Sequence, residues 1–129
     1  MSRIRIALAG LAVVAVGVFV TAGIASAKTA TAKKASVGTV VSVSAKEFSF
    51  KLSTKGVSKP GVVTFKVKNN GKEPHNFVFL SGINKGTALI LPGKTKSIAI
   101  TFKKKGTYTY ECTVGEHAEE GMLGTFTVK

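Results

Sequence analysis

The feature that most restricts the fold of this chain is a two-residue alternation that recurs along its length. Phe48, Phe50 and Leu52 alternate with Glu47, Ser49 and Lys51, and Val63, Phe65 and Val67 alternate with Thr64, Lys66 and Lys68. Ile98, Ile100 and Phe102 alternate with Ser97, Ala99 and Thr101, and Tyr108, Tyr110 and Cys112 with Thr107, Thr109 and Glu111. Successive side chains of a strand point to opposite faces, so each run reads as a half-buried strand; a helix over the same residues would scatter the apolar groups around its axis. Between the runs stand Lys59-Pro60-Gly61, Asn69-Asn70-Gly71, Pro92-Gly93 and Lys105-Gly106, where Pro presets the bend and Gly accepts positive φ. With 37–43, 75–80 and 124–129 added, the pattern predicts about seven strands and no helix after residue 36. An all-β antiparallel sandwich is the expected packing.

The N-terminus follows a different logic. Arg3 and Arg5 precede an apolar stretch from Ile6 to Ile24 that ends in Ala25-Ser26-Ala27, the order basic, apolar, small-x-small of an export signal cut after Ala27. An uncleaved anchor is the alternative, because the apolar stretch approaches the length that spans a bilayer. Residues 28–36 (KTATAKKAS) hold no large apolar side chain and read as a flexible lead-in, so the folded domain is expected over 37–129. Export places the protein in the periplasm or outside the cell. The chain of 129 residues carries 19 Lys+Arg against 6 acidic residues, all Glu. Removing the first 27 residues leaves 102 and, with the two arginines gone, changes the formal charge from +13 to +11. Such a surface favours anionic partners. Nucleic acid is not the expected one, since no recognition motif or aromatic platform accompanies the charge.

The chemistry gathers in few residues. The chain has one Cys and two His, and beyond the export signal one Met: Cys112, His75, His117 and Met122. Three of these fall in Cys112-Thr-Val-Gly-Glu-His117-Ala-Glu-Glu-Gly-Met122, where Cys112 ends an inward-facing register and Gly115, Gly121 and Gly124 suit a loop that turns back into a last strand. His75 opens the 75–80 run after Pro74, and a sandwich brings it across the core to that loop. Any one of the four, taken alone, is an ordinary core or loop residue. Together, two imidazoles, a thiolate and a thioether form the ligand set of a blue-copper centre, with His₂Cys in a trigonal plane and Met on a long axis. Structural zinc takes four Cys or His ligands, and Met is not among them.

The segments Gly61-Val-Val-Thr-Phe-Lys-Val-Lys-Asn69, Glu73-Pro-His-Asn-Phe77 and Gly106-Thr-Tyr-Thr-Tyr-Glu-Cys-Thr-Val114, with His117, Met122 and Gly124-Thr-Phe-Thr-Val128, resemble a cupredoxin of the plastocyanin/azurin type. The resemblance implies an eight-stranded Greek-key β-sandwich with one type 1 copper ion at one end, held by His75, Cys112, His117 and Met122. It also implies that Asn76 braces the ligand loops, and that His117 presents its ring edge to a partner past Ala118, Gly121 and Leu123. Both gaps in Cys-x4-His-x4-Met hold four residues, where plastocyanins have a tighter first gap and azurins a shorter second one. The expected activity is single-electron carriage between redox partners by a monomer, not enzymatic turnover, since an oxidase or nitrite reductase would need further histidines for an open copper site. Copper handling or delivery is the alternative; a store or chaperone would display repeated Met or His. Acidic redox proteins are the expected partners, and an anionic membrane surface is a further one.

Overall fold

The computed structural model describes residues 38–80 and 82–129; the residues read as an export signal and as a lead-in, and Val37, lie outside them. Nine strands follow one another: β1 (Thr39–Lys46), β2 (Ser49–Leu52), β3 (Gly56–Val57), β4 (Gly61–Asn69), β5 (Val78–Phe79), β6 (Lys85–Gly86), β7 (Thr95–Phe102), β8 (Gly106–Glu111) and β9 (Leu123–Val128). They form two sheets, one in the order β2-β1-β4-β7 and one in the order β3-β9-β8-β5-β6. The described residues contain no helix, and therefore none long and apolar enough to cross a membrane.

The alternation expected over 63–68 is observed on β4, and β1, expected over 37–43, runs 39–46 with the same pattern. On β1, Val41, Val43 and Ala45 are buried while Thr39, Val40, Ser42 and Lys46 are exposed; on β4, Val63, Phe65 and Val67 are buried while Lys66 and Lys68 are exposed. Between the sheets Phe65 meets Phe77, Phe79 and Phe126 at ring-centroid distances of 5.4, 5.0 and 5.1 Å. Each such ring, fully buried, contributes about 1.5–3 kcal/mol of transfer free energy. This aromatic layer holds the sheets at a fixed separation, so the loops at their ends start from fixed points.

Three expectations need correction. The sheets are mixed rather than antiparallel: β1 pairs parallel with β4, from Thr39↔Val63 to Ala45↔Asn69, and β3 pairs parallel with β9. The reason is topological. After the β1–β2 hairpin the chain crosses to the second sheet at β3 and returns at β4, so β4 re-enters beside β1 in the same direction. The 75–80 run also contracts to Val78–Phe79, and His75 makes only an isolated bridge with Ile90. The strands β3 and β6, two residues each, raise the total above both the seven counted and the eight implied.

Candidate metal centre

Cys112 follows β8 directly and continues its inward register, which buries it completely. From there the chain turns through residues 114–121 and re-enters the sheet as β9. Main-chain bonds fix this turn: His117 N–H donates to Val114 C=O at 3.1 Å, Met122 N–H to His117 C=O at 2.9 Å, and Cys112 N–H to Met122 C=O at 3.0 Å. The turn thus brings Met122, which is also fully buried, beside both Cys112 and His117. His75 arrives from the other direction, held by Ile90 through two main-chain bonds of 3.1 and 2.7 Å.

The three nitrogen and sulfur donors converge. His75 Nδ1 lies 3.2 Å from His117 Nδ1 and 4.0 Å from Cys112 Sγ, and His117 Nδ1 lies 3.6 Å from the same sulfur. A triangle with these sides has a centre about 2.1 Å from each corner, matching the roughly 2.0–2.3 Å of a bond from a metal ion to imidazole nitrogen or thiolate sulfur. The corners need no rearrangement to hold an ion. Two imidazoles, a thiolate and the thioether of Met122 suit copper, whose two oxidation states prefer soft sulfur and imidazole nitrogen. His75, Cys112 and Met122 are fully buried, whereas the His117 side chain keeps 12% of its surface exposed.

Hydrogen bonds outside the donors hold the loops in place. Asn76 Nδ2–H donates to Thr113 Oγ1 at 2.7 Å, and Thr113 N–H donates back to Asn76 Oδ1 at 2.8 Å, so the residue after the first histidine is tied to the residue after the cysteine. Sequence reasoning gave no structural role to Asn69 beyond a turn. Its buried amide donates to Glu73 C=O at 2.7 Å and Ile90 C=O at 2.8 Å, while its Oδ1 accepts Gly71 N–H at 2.8 Å. Asn69 therefore joins the segment that carries His75 to the segment that holds it.

Two glutamates were missed as well. Glu47 Oε1 lies 3.3 Å from His75 Nε2 and Glu73 Oε2 lies 3.0 Å from His117 Nε2. Glu47 Oε1 also accepts the N–H groups of Lys72 and Glu73, the second at 2.7 Å. The Glu73 N–H and the N–H of Glu47 itself are the main causes that lower its carboxyl from 4.5 to about 2; Lys72 N–H and His75 add to this, and partial burial opposes it. No local pattern in the sequence marks Glu47, which lies 28 residues from the histidine it touches. Glu73 stands in the segment around His75, where its place before Pro74 was the only signal.

Comparison with known proteins agrees with this geometry. No curated protein matches the chain. Among solved structures, auracyanin from the photosynthetic bacterium Roseiflexus castenholzii, reduced with dithionite, is 21% identical, with 73% of this chain and 99% of that one covered and a TM-score of 0.62. Auracyanin B is 24% identical, with 70% and 88% covered and a TM-score of 0.60. Auracyanin A, described as a "blue" copper protein from the green thermophilic photosynthetic bacterium Chloroflexus aurantiacus, is 21% identical, with 71% and 99% covered and a TM-score of 0.59. At such identities the likeness establishes the fold. The model of the cupredoxin-like domain matches residues 12–128, and with that match over most of its length the chain belongs to the cupredoxin-like domain family.

Proposed function

We propose that the chain is an exported type 1 copper protein that carries single electrons between redox partners. The observation that carries this reading is the triangle of His75, Cys112 and His117 donors, with His75 and Cys112 fully buried and only the His117 side chain partly exposed. Copper bound there supplies a one-electron couple between Cu(I) and Cu(II). The protein's own part is to hold the donors in one geometry through both states, which the Asn69 and Asn76 bonds support, so that little rearrangement accompanies each transfer. Burial of three ligands also argues for carriage over delivery, because a metal that must be handed on needs ligands a receiving protein can reach. The electron then leaves through the exposed edge of His117.

Partner choice follows from charge placement. Glu47 and Glu73 contact the histidines, and the other four carboxylates stand next to or within the ligand loop in sequence: Glu111 before Cys112, and Glu116, Glu119 and Glu120 between Cys112 and Met122. The outward face of the first sheet is different. Lys46, Lys51, Lys66 and Lys68 are exposed there among Ser42, Ser44 and Thr95, with Ser44 in register with both Lys51 and Lys68. Of the anionic partners that the net charge favours, an acidic redox protein or an anionic membrane, this layout suits the membrane. An acidic protein at the His117 edge would face carboxylates, whereas a membrane under the lysine face leaves that edge free for a redox protein of complementary charge.

Loading with Cu(II), followed by visible spectroscopy and stopped-flow oxidation and reduction, tests the carrier reading. One copper per chain and an intense thiolate charge-transfer band are expected, with the band absent in Cys112→Ser. A colourless protein at full copper occupancy, or a coloured one that exchanges no electrons with any redox protein, would overturn it.

A further inference from the structure

The turn between β1 and β2 holds no donor atom, yet it reaches both imidazoles. Glu47 contacts His75 Nε2, and Phe48 stands edge-on to the His117 ring with centroids 5.1 Å apart. An ionised carboxylate has no proton to give, so at the Glu47 contact the imidazole donates and Nε2 carries the hydrogen. The Nδ1 of His75 is then left with a free lone pair, on the side that faces Cys112 Sγ and His117 Nδ1. Glu73 imposes the same tautomer on His117.

The two carboxylates differ in how firmly they are held. Glu47 has 21% of its side chain exposed, touches a histidine with none exposed, and is anchored by two main-chain N–H groups. Gly71 closes over it: a Cβ there would overlap the Glu47 carboxylate. Glu73 is 52% exposed and its carboxylate makes one contact, with His117. A charge beside a buried ring is poorly screened, while one in water is well screened. Glu47 is therefore the carboxylate that acts on the donors most strongly.

We propose that Glu47 is a positioning residue of the copper centre: its hydrogen bond fixes His75 as an Nδ1 ligand, and its charge favours Cu(II) over Cu(I). The inference rests on the copper reading given above. A carboxylate on a ligand imidazole raises the basicity of the ring. A negative charge nearby stabilises the more positive oxidation state. Both effects lower the reduction potential, so removing Glu47 raises it.

Four variants separate the hydrogen bond from the charge. Glu47→Gln keeps an acceptor oxygen and drops the charge; Glu47→Ala drops both. Gly71→Ala leaves Glu47 in the chain but displaces its carboxylate, and Glu119→Gln removes a charge from the ligand loop without touching an imidazole. In Glu47→Gln the preference for Cu(II) over Cu(I) should fall at least tenfold, a rise of about 59 mV for a one-electron couple. Nitrogen-15 NMR of the metal-free protein should still show His75 with its proton on Nε2. Glu47→Ala should raise the potential as much and should also populate both tautomers of His75. Gly71→Ala should move the potential in the same direction, and Glu119→Gln by less than half as much. An unchanged potential in both Glu47 variants, an equal rise in Glu119→Gln, or a single Nε2–H tautomer surviving in Glu47→Ala would overturn the inference. Absence of the blue band from the unsubstituted protein would instead overturn the copper reading.

Discussion

Met122 is the residue whose role is most separable from the rest, since a copper ion held by His75, Cys112 and His117 would take its thioether as a weak further ligand. Met122→Leu fills nearly the same buried volume without the sulfur. The blue colour should survive, and the potential should rise because a weak axial donor stabilises Cu(II) more than Cu(I). Voltammetry giving a lower potential would show that Met122 is not a simple axial ligand. Glu47 makes a second residue-scale prediction, in the metal-free protein. Its carboxyl ionises at about 2 in the folded chain against an ordinary 4.5. A depressed pKa contributes stability that is fully present above the unfolded value and is lost as pH falls toward the folded one. Resistance to urea should therefore fall as pH drops from about 4.5 to 2, and Glu47→Gln should flatten that slope. An identical slope in the variant would mean that Glu47 is not held in the folded state. The convergence of His75, Cys112 and His117 was legible in the sequence because the chain keeps so few sulfur and imidazole groups that order and spacing single them out. Glu47 and Asn69 were not, because glutamate and asparagine are common in turns, and only the folded chain shows which ones reach a histidine or a buried carbonyl.

Among the elements, the 69–75 segment shows how a loop can be as well fixed as a strand. Asn69 closes β4, and its side chain satisfies two carbonyls on separate segments and one N–H. Its main chain bonds to Lys94 and Gly93 at 2.9 Å each. Asn69→Ala would take that donor from Glu73 C=O and from Ile90 C=O, the second of which keeps His75 N–H, so the expected cost is that of about one polar group left unpaired, about 1–3 kcal/mol. The expected outcome is a denaturant midpoint shifted down together with faster loss of copper to a chelator, because Ile90 is also the partner of His75. Copper retention unchanged in a destabilised variant would show that His75 is placed without Asn69. Elements also mark where sequence reading stopped. Alternation over β1, β4, β7 and β8 identifies a buried face, but a period of two carries no information on which strand lies alongside or in which direction. The parallel pairing of β1 with β4 is a property of the crossing connection, and β3 and β6 are too short to show any period. Likewise His75 makes only an isolated bridge with Ile90 and contacts Glu47, while Asn69 ties Ile90 to Glu73, and no local pattern encodes these contacts.

For the molecule as a whole, the separation of charge is what makes the proposed membrane contact testable. Carboxylates gather at the donor end, while lysines cover the outward face of the β2-β1-β4-β7 sheet, and the polar serine and threonine side chains between them present no competing negative charge. Each lysine close to an anionic bilayer contributes about 1 kcal/mol, and the attraction reaches roughly 8 Å at physiological salt. The form lacking residues 1–27 should therefore sediment with phosphatidylcholine vesicles that contain phosphatidylglycerol and not with phosphatidylcholine alone. Binding should weaken as salt is added, and the copper should stay reducible by a small reagent in the bound state, because the His117 edge is not part of the lysine face. Charge reversal at Lys51, Lys66 and Lys68 should abolish the binding, while Glu119→Lys with Glu120→Lys should leave it intact or strengthen it. If replacing Lys103, Lys104 and Lys105 abolishes binding as completely as reversing the sheet lysines, or if binding ignores salt, the sheet face is not the contact. In that case net charge alone, not its layout, governs where this protein goes.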